Sequence, residues 1–209
     1  MPRNIVLDWH GVIDNISPMR LRKDFFFLTL NMLKKFKFKK AWHIVRFSFD
    51  SYSSEVDNYA AGLISPDKFW DYIQEHSDLD IKNNLQRLLS KVELNPQLIS
   101  LLKSRQQDFK FYILSDCPLD KAAFVLKALP AVEFQDVFLS YQYKTTKRRG
   151  GLFDVFLEKT QLKPSDCLFI DDSRKNIKIA QQKGFKTFNF RSNKDLPALK
   201  QLLNVFKSK

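Results

Sequence analysis

Five short apolar runs punctuate the chain, and stretches of helical spacing lie between the later ones. The first run, NIVLDW at residues 4–9, reads as a buried strand. FKFYILSD (109–116), DVFLS (136–140), CLFIDDS (167–173) and FKTFNF (185–190) read the same way. Between them the polar and apolar positions take a helical period. Asn95 is a good helix cap with Pro96 in the first turn, and Leu98, Leu101 and Leu102 point one way. PLDKAAFVLKAL is a helix stopped by Pro130, and GLFDVFLEKTQL one stopped before Pro164. RKNIKIAQQKG closes on Gly184, and DLPALKQLLNVF starts at Asp195 as cap. Strands alternating with helices predict an α/β fold, a doubly wound parallel sheet with helices on both faces.

Residues 15–94 break that alternation. DFFFLTLNML and AWHIVRFSF flank a basic run, KKFKFKK, from Lys34 to Lys40. Further on, Ser65-Pro66-Asp67 marks a helix start, with Phe69, Trp70 and Ile73 on one face. The expected organisation is a Rossmann-like core of residues 1–14 and 95–209, with a mainly helical cap, 15–94, inserted after the first strand.

Composition narrows the class. The 209 residues are 44% hydrophobic and include 20 phenylalanines, enough for a sizeable core. No apolar run approaches the roughly 20 residues that a spanning helix needs, and the first apolar stretch is too short for a signal peptide. A cytoplasmic location is the expectation. Cys117 and Cys167 make neither a disulfide framework nor a zinc motif, so both are expected as buried thiols. The position of Cys117 just after a candidate motif also leaves oxidation sensitivity open.

The net charge is +12, which favours anionic partners. Nine Lys/Arg stand against two Asp between Arg20 and Asp50. The favoured reading of 34–40 is a solvated basic face whose phenylalanines reach into the cap. Docking on an anionic membrane surface together with Phe25–Phe27 and Trp42, tracking of a nucleic-acid backbone, and recruitment of a charged substrate remain open. No recognised nucleic-acid-binding motif accompanies the run.

The strand ends carry the candidate chemistry, because open parallel sheets bind ligands beyond their carboxyl edge. The first ends in Asp8, the second in Ser115-Asp116, the fourth in Asp171-Asp172. Acidic groups converging from several strands repel one another, and a divalent cation is the simplest compensation. Oxygen donors without histidine or cysteine favour Mg2+. Lys147, in the loop after the third strand, offsets carboxylate charge or contacts a phosphoryl group. Together these residues suggest phosphoryl transfer through an aspartyl phosphate.

At these residues the chain resembles the haloacid-dehalogenase superfamily, mainly magnesium-dependent phosphatases. Asp8-Trp9-His10-Gly11-Val12 resembles the first motif, usually Asp-x-Asp-Gly-Thr/Val. Residues 111–116, FYILSD, resemble the second, Lys147 the third, and FIDDS at 169–173 the fourth, followed by Asn176, Ala180 and Gly184. GLISPDKFWDYI is similar to a segment common in members with a helical cap. The resemblance implies Asp8 as nucleophile, Ser115 and Lys147 as ligands of the transferring phosphoryl group, and a small phosphorylated substrate. It implies a magnesium site made by Asp8, Asp171, Asp172 and the backbone carbonyl of His10. Asp116 is implied to orient loops.

His10 departs from the family pattern, which has an aspartate there as acid and base. Three readings follow: His10 takes over proton transfer, slows the water step, or marks a site that binds without turnover. A dehalogenase reading fits less well, because those relatives work without metal and Asp171-Asp172 argues for one. Lys144, Arg148 and Arg149 compete with Lys147 for the third-motif role. His43 and His76 read as ordinary surface or partly buried residues.

Overall fold

The computed structural model describes residues 3–15, 54–76 and 91–207. The basic run 34–40, Phe25–Phe27, Trp42 and His43 lie outside them, as do the side chains of Ile73 and His76.

Five strands form one parallel sheet: β1 Arg3–Leu7, β2 Phe109–Ser115, β3 Phe134–Leu139, β4 Cys167–Asp171 and β5 Lys186–Asn189. Their order is β3-β2-β1-β4-β5, with every pair parallel. The chain winds outward from β1 in one direction and then from β4 in the other. The switch falls at the end of β1, where ligands of such sheets bind.

Side chains alternate across the sheet as a two-residue period requires. Ile5, Leu7, Phe111, Ile113, Leu168 and Ile170 share one core. They pack under α3 Pro96–Lys103, α4 Leu119–Lys127 and α8 Leu196–Lys207, through Leu98, Val125, Leu199 and Leu203. Val6, Tyr112, Leu114, Cys167 and Phe169 share the other core, under α6 Gly151–Thr160 and α7 Arg174–Gln182. The sheet is thus doubly wound, as the alternation of runs predicts. Several of the many phenylalanines fill the second core: Phe153 meets Phe169 edge to face at 5.0 Å and lies tilted against Phe185 at 5.5 Å.

Most expected boundaries move by one or two residues, and three shifts change the local structure. The third strand begins two residues early, at Phe134, because β2 and β3 pair through an irregularity between Phe111 and Tyr112. Ser140 leaves that strand and opens a one-turn helix, α5 Ser140–Tyr143. Asp195 does not cap the last helix directly; it belongs to a 3-10 turn, Asn193–Asp195, where Ser192 is the cap and Asp195 returns the bond. Asn95 caps α3 as expected, accepting from Leu98 N at 3.2 Å, and Gly184 takes the left-handed conformation, φ +88°.

Chain 15–94 leaves and returns at one place: Asn15 N donates to Glu93 O at 2.7 Å, and Glu93 N to Asp14 Oδ1 at 2.9 Å. Its described part holds α1 Ser54–Ala60 and α2 Pro66–His76. Tyr59 stacks on Phe69 at 3.8 Å. Tyr59 Oη donates to Asp120 Oδ1 at 2.6 Å and Trp70 Nε1 to Asp120 Oδ2 at 2.9 Å, so both helices hold α4. Both cysteines are free and buried, and burial pushes each thiol up to about 12, which leaves little reactive thiolate near neutral pH. No helix among the described residues is long and apolar enough to cross a membrane.

Phe153 is fully buried whereas Phe124 is 45% exposed. Phe153→Ala is expected to lower the unfolding free energy in urea by about 3–5 kcal/mol. Phe124→Ala should change it by about 0.5 kcal/mol or less. Equal losses would contradict the packing described.

Candidate functional site

The loop after β1 folds back on itself because Gly11 adopts φ +78°. Its N–H donates to Asp14 O at 2.8 Å. A Cβ on Gly11 would come within 2.3 Å of Asp172 Oδ2, so only glycine lets the loop pass under that carboxylate. Asp8 sits one residue beyond β1, tied to β4 by its N–H donating to Ile170 O at 2.9 Å.

Lys147 is the centre of the cluster. Its Nζ lies 2.6 Å from Asp8 Oδ1 and 2.7 Å from Asp171 Oδ2, and the residue is 1% exposed. Asp8 Oδ1 also accepts from Trp9 N at 2.7 Å. Asp8 Oδ2 therefore has no donor among the described residues. Asp171 is held harder: Oδ1 accepts from Ser173 N at 2.7 Å, and both oxygens accept from Asn176 Nδ2 at 3.3 and 3.1 Å. Behind them, Asn189 Nδ2 donates to the carbonyls of Asp171 and Asp172 at 3.0 and 2.9 Å. Asp116 Oδ1 accepts from Lys147 N at 2.8 Å, so it fixes the lysine's loop.

Of the basic residues near the third motif, Lys147 enters this cluster, whereas Lys144 and Arg149 are engaged elsewhere. Lys144 Nζ donates to Gly62 O, and Arg149 binds Asp57 and Asn58. Ser115 is fully buried at the end of β2, and its Oγ has no hydrogen-bond partner among the described residues. A buried hydroxyl left so is costly unless a ligand completes it.

One oxygen each from Asp8, Asp171 and Asp172 lie within 4.8 Å of one another. Three carboxylates face one ammonium. Burial, together with the charges of Asp171 and Asp172, outweighs Lys147 and raises the Asp8 carboxyl well above its usual range. Burial and the Asp171 charge push Asp172 up to about 7. Burial opposes the charge on Lys147, but Asp171 and Asp8 outweigh it and hold the ammonium protonated. The excess negative charge and the all-oxygen donor set fit a hard divalent cation.

His10 lies beside this cluster, Nδ1 3.4 Å from Asp14 Oδ2. Burial and the Lys121 charge lower its pKa to about 4, against the pull of Asp14. The sequence singles out neither Asp14, Asn189 nor Lys121. Asn189 and Lys121 act through contacts between distant segments, and Asp14 through the fold of the loop that brings it back to His10 four residues earlier.

No protein-family model matches the chain. A HAD family enzyme from Bacteroides thetaiotaomicron superposes with a TM-score of 0.71 at 22% identity, over 95% of this chain and 98% of that one. The same enzyme has been solved with magnesium and inorganic phosphate. The chain has the haloacid-dehalogenase fold. A fold of this kind also serves the L-2-haloacid dehalogenase of Xanthobacter autotrophicus, with a TM-score of 0.59 at 14% identity over 100% of this chain and 88% of that one. A 52-residue segment is 40% identical to a D-ribitol-5-phosphate phosphatase of Bacteroides thetaiotaomicron. That segment spans 25% of this chain and a quarter of the relative's length.

The Asp172 carboxylate accepts no hydrogen bond from another described residue, so Asp172→Asn should leave the fold intact. Saturating magnesium, at about a hundredfold over its dissociation constant, is expected to stabilise the wild type by about 2.7 kcal/mol. A thermal melt should show a much smaller gain for Asp172→Asn. An equal gain in both would remove Asp172 from the cation site.

Proposed function

We propose that the chain is a magnesium-dependent phosphomonoester hydrolase that works through an aspartyl phosphate on Asp8, with His10 where an acid/base aspartate is usual. The observation that carries this reading is the buried Lys147 ammonium, shared at 2.6 and 2.7 Å between Asp8 and Asp171 with Asp172 beside them. A dehalogenase needs no cation, and a third carboxylate in the cluster would then be repulsion without purpose. The phosphatase relative and the neighbour solved with magnesium and phosphate support the same choice.

Asp8, Asp171, Asp172 and the backbone carbonyl of His10 would hold the magnesium. Bound there, the ion supplies positive charge that offsets the carboxylates and the phosphoryl oxygens. Asp8 is the nucleophile. Its Oδ1 is taken by Lys147 and Trp9 N, so the two oxygens are already distinguished before substrate enters. Attack on phosphorus breaks the ester P–O bond, and the departing oxygen takes a proton. Water then attacks the same phosphorus, the bond to Asp8 breaks, and inorganic phosphate leaves. Ser115 Oγ donates to the phosphoryl group, and Lys147 steadies its charge and that of Asp8. His10 gives the first proton and takes the second. Residues 15–94 act as a cap over the crevice, and a small phosphorylated metabolite is the substrate class.

A second reading rests on His10 itself. Its ring faces Asp14 and is held neutral by burial. A neutral imidazole supplies a proton to the leaving group poorly. The site would then form the phosphoenzyme but release it slowly, and serve as a binding protein.

Release of p-nitrophenol from its phosphate ester separates these readings. Turnover is expected in wild type with magnesium and is lost on chelation. Asp8→Asn should lose it below detection. His10→Asp should lower turnover if the imidazole does the proton transfer. A rise would favour the second reading, and unchanged activity in Asp8→Asn would remove the nucleophile.

A further inference from the structure

The loop that carries Lys147 is gripped from two sides. From the core, Asp116 accepts from Lys147 N at 2.8 Å. From the inserted segment, Asp57 in α1 reaches the residues on either side of the lysine. Thr146 Oγ1 donates to Asp57 Oδ1 at 2.8 Å, and Arg149 Nε donates to Asp57 Oδ2 at 2.5 Å. Arg149 Nη2 also donates to Asn58 Oδ1 at 2.6 Å. Thr146 is fully buried, and its Oγ1 accepts from Arg149 N at 3.3 Å, which closes the turn around Lys147. Two further bonds hold the neighbouring chain: Lys144 Nζ donates to Gly62 O at 2.7 Å, and Ser140 Oγ donates to Ala60 O.

We propose that Asp57 is a positioning residue for Lys147, so that the inserted segment completes the site rather than only covering it. The proposal rests on the phosphoryl-transfer reading. The physical reason is the demand on the lysine. Its Nζ serves two carboxylates at once, and these contacts tolerate little drift of the backbone beneath it. Asp116 fixes a single point, the N–H of Lys147. Gly150 N donates to Lys147 O at 2.9 Å and Leu152 N to Thr146 O at 3.3 Å, which tie the loop to the start of α6; the Asp57 carboxylate adds side-chain bonds on both sides of the lysine. Hydrogen bonds to a charged group are stronger than neutral ones, and Asp57 is the only charged member of this contact that reaches both Thr146 and Arg149 among the described residues. Displacement of a reacting group by about 1 Å costs up to about a hundredfold in rate.

The test compares Asp57→Asn, Thr146→Val and the double variant, with Lys207→Ala as control. The control breaks the remote ion pair of Lys207 with Asp108 and should leave kcat unchanged. Each single variant is expected to lower kcat roughly tenfold to a hundredfold with KM little changed. The double variant should be no worse than the poorer single, because the two residues act as one unit. Thr146→Ser, which keeps the hydroxyl, should restore most of the rate. Thermal midpoints are measured alongside. If Asp57→Asn is unfolded at the assay temperature, the Thr146→Val and Thr146→Ser pair carries the test.

A second readout does not need turnover: binding of inorganic phosphate in the presence of magnesium, by calorimetry. Asp57→Asn should weaken it about tenfold. A wild type that binds phosphate but does not turn over would sink the catalytic reading and leave this one standing if the variant binds more weakly. Full kcat and full phosphate affinity in folded Asp57→Asn would overturn the proposal. So would multiplicative losses in the double variant, or a wild type that binds no phosphate at all.

Discussion

The Lys147 ammonium, enclosed in the interior between Asp8 and Asp171, is the contact on which the rest of the site depends. Two buried carboxylates brought together without it would repel each other in a medium that screens poorly. With it, they sit within one lysine's reach, and Asp172 adds a third acidic group to the same place. The arrangement is stable yet under-compensated. Among the described residues it has more negative than positive charge, a buried serine hydroxyl without a partner, and an oxygen on Asp8 that accepts no hydrogen bond. On the proposed reading, a divalent cation and a phosphoryl group would supply what each of these lacks.

The fold exists to deliver these groups from separate parts of the chain. β1 and β4 pair side by side and end level, with Leu7 opposite Ile170, so Asp8 and Asp171 emerge together. β2 pairs on the other side of β1 and brings Ser115. The loop after α5 brings Lys147 from farther away and needs more bonds to hold it. Asn176 and Asn189 then lock the end of β4 from the next helix and the next strand. A slip of one residue in any strand would turn its terminal side chain to the opposite face, so register and chemistry are specified together.

Much of this is legible in the chain because the signals are local. Short apolar runs that end in Asp8, Ser115 or Asp171 mark both a strand and the place where it stops. Asn95 before Pro96 and the left-handed Gly184 mark helix ends for reasons confined to a few residues. The boundary errors have the opposite cause. The early start of β3 depends on how it pairs with β2, and the role of Asp195 depends on Ser192. At the site, Lys147 cannot be separated from Lys144 and Arg149 by spacing alone; burial and the two carboxylates single it out. Asn189 and Asp57 carry no local signature, because each acts across more than ten residues of chain or between the insertion and the core; Asp14 is only four residues from His10, but the turn that joins them is not marked by the residue types. His10 stands out early as a departure from a pattern. Its surroundings, Asp14 and the charge of Lys121, become evident only in three dimensions.

A covalent bond between Asp8 and phosphorus can be trapped chemically. The protein would be mixed with magnesium and p-nitrophenyl phosphate, quenched in acid, reduced with borohydride and digested for mass spectrometry. Homoserine is expected in place of aspartate at position 8 in the wild type, with no such change in Asp8→Asn. Modification at a different residue, or none at position 8 while p-nitrophenol is being released, would contradict a nucleophilic Asp8.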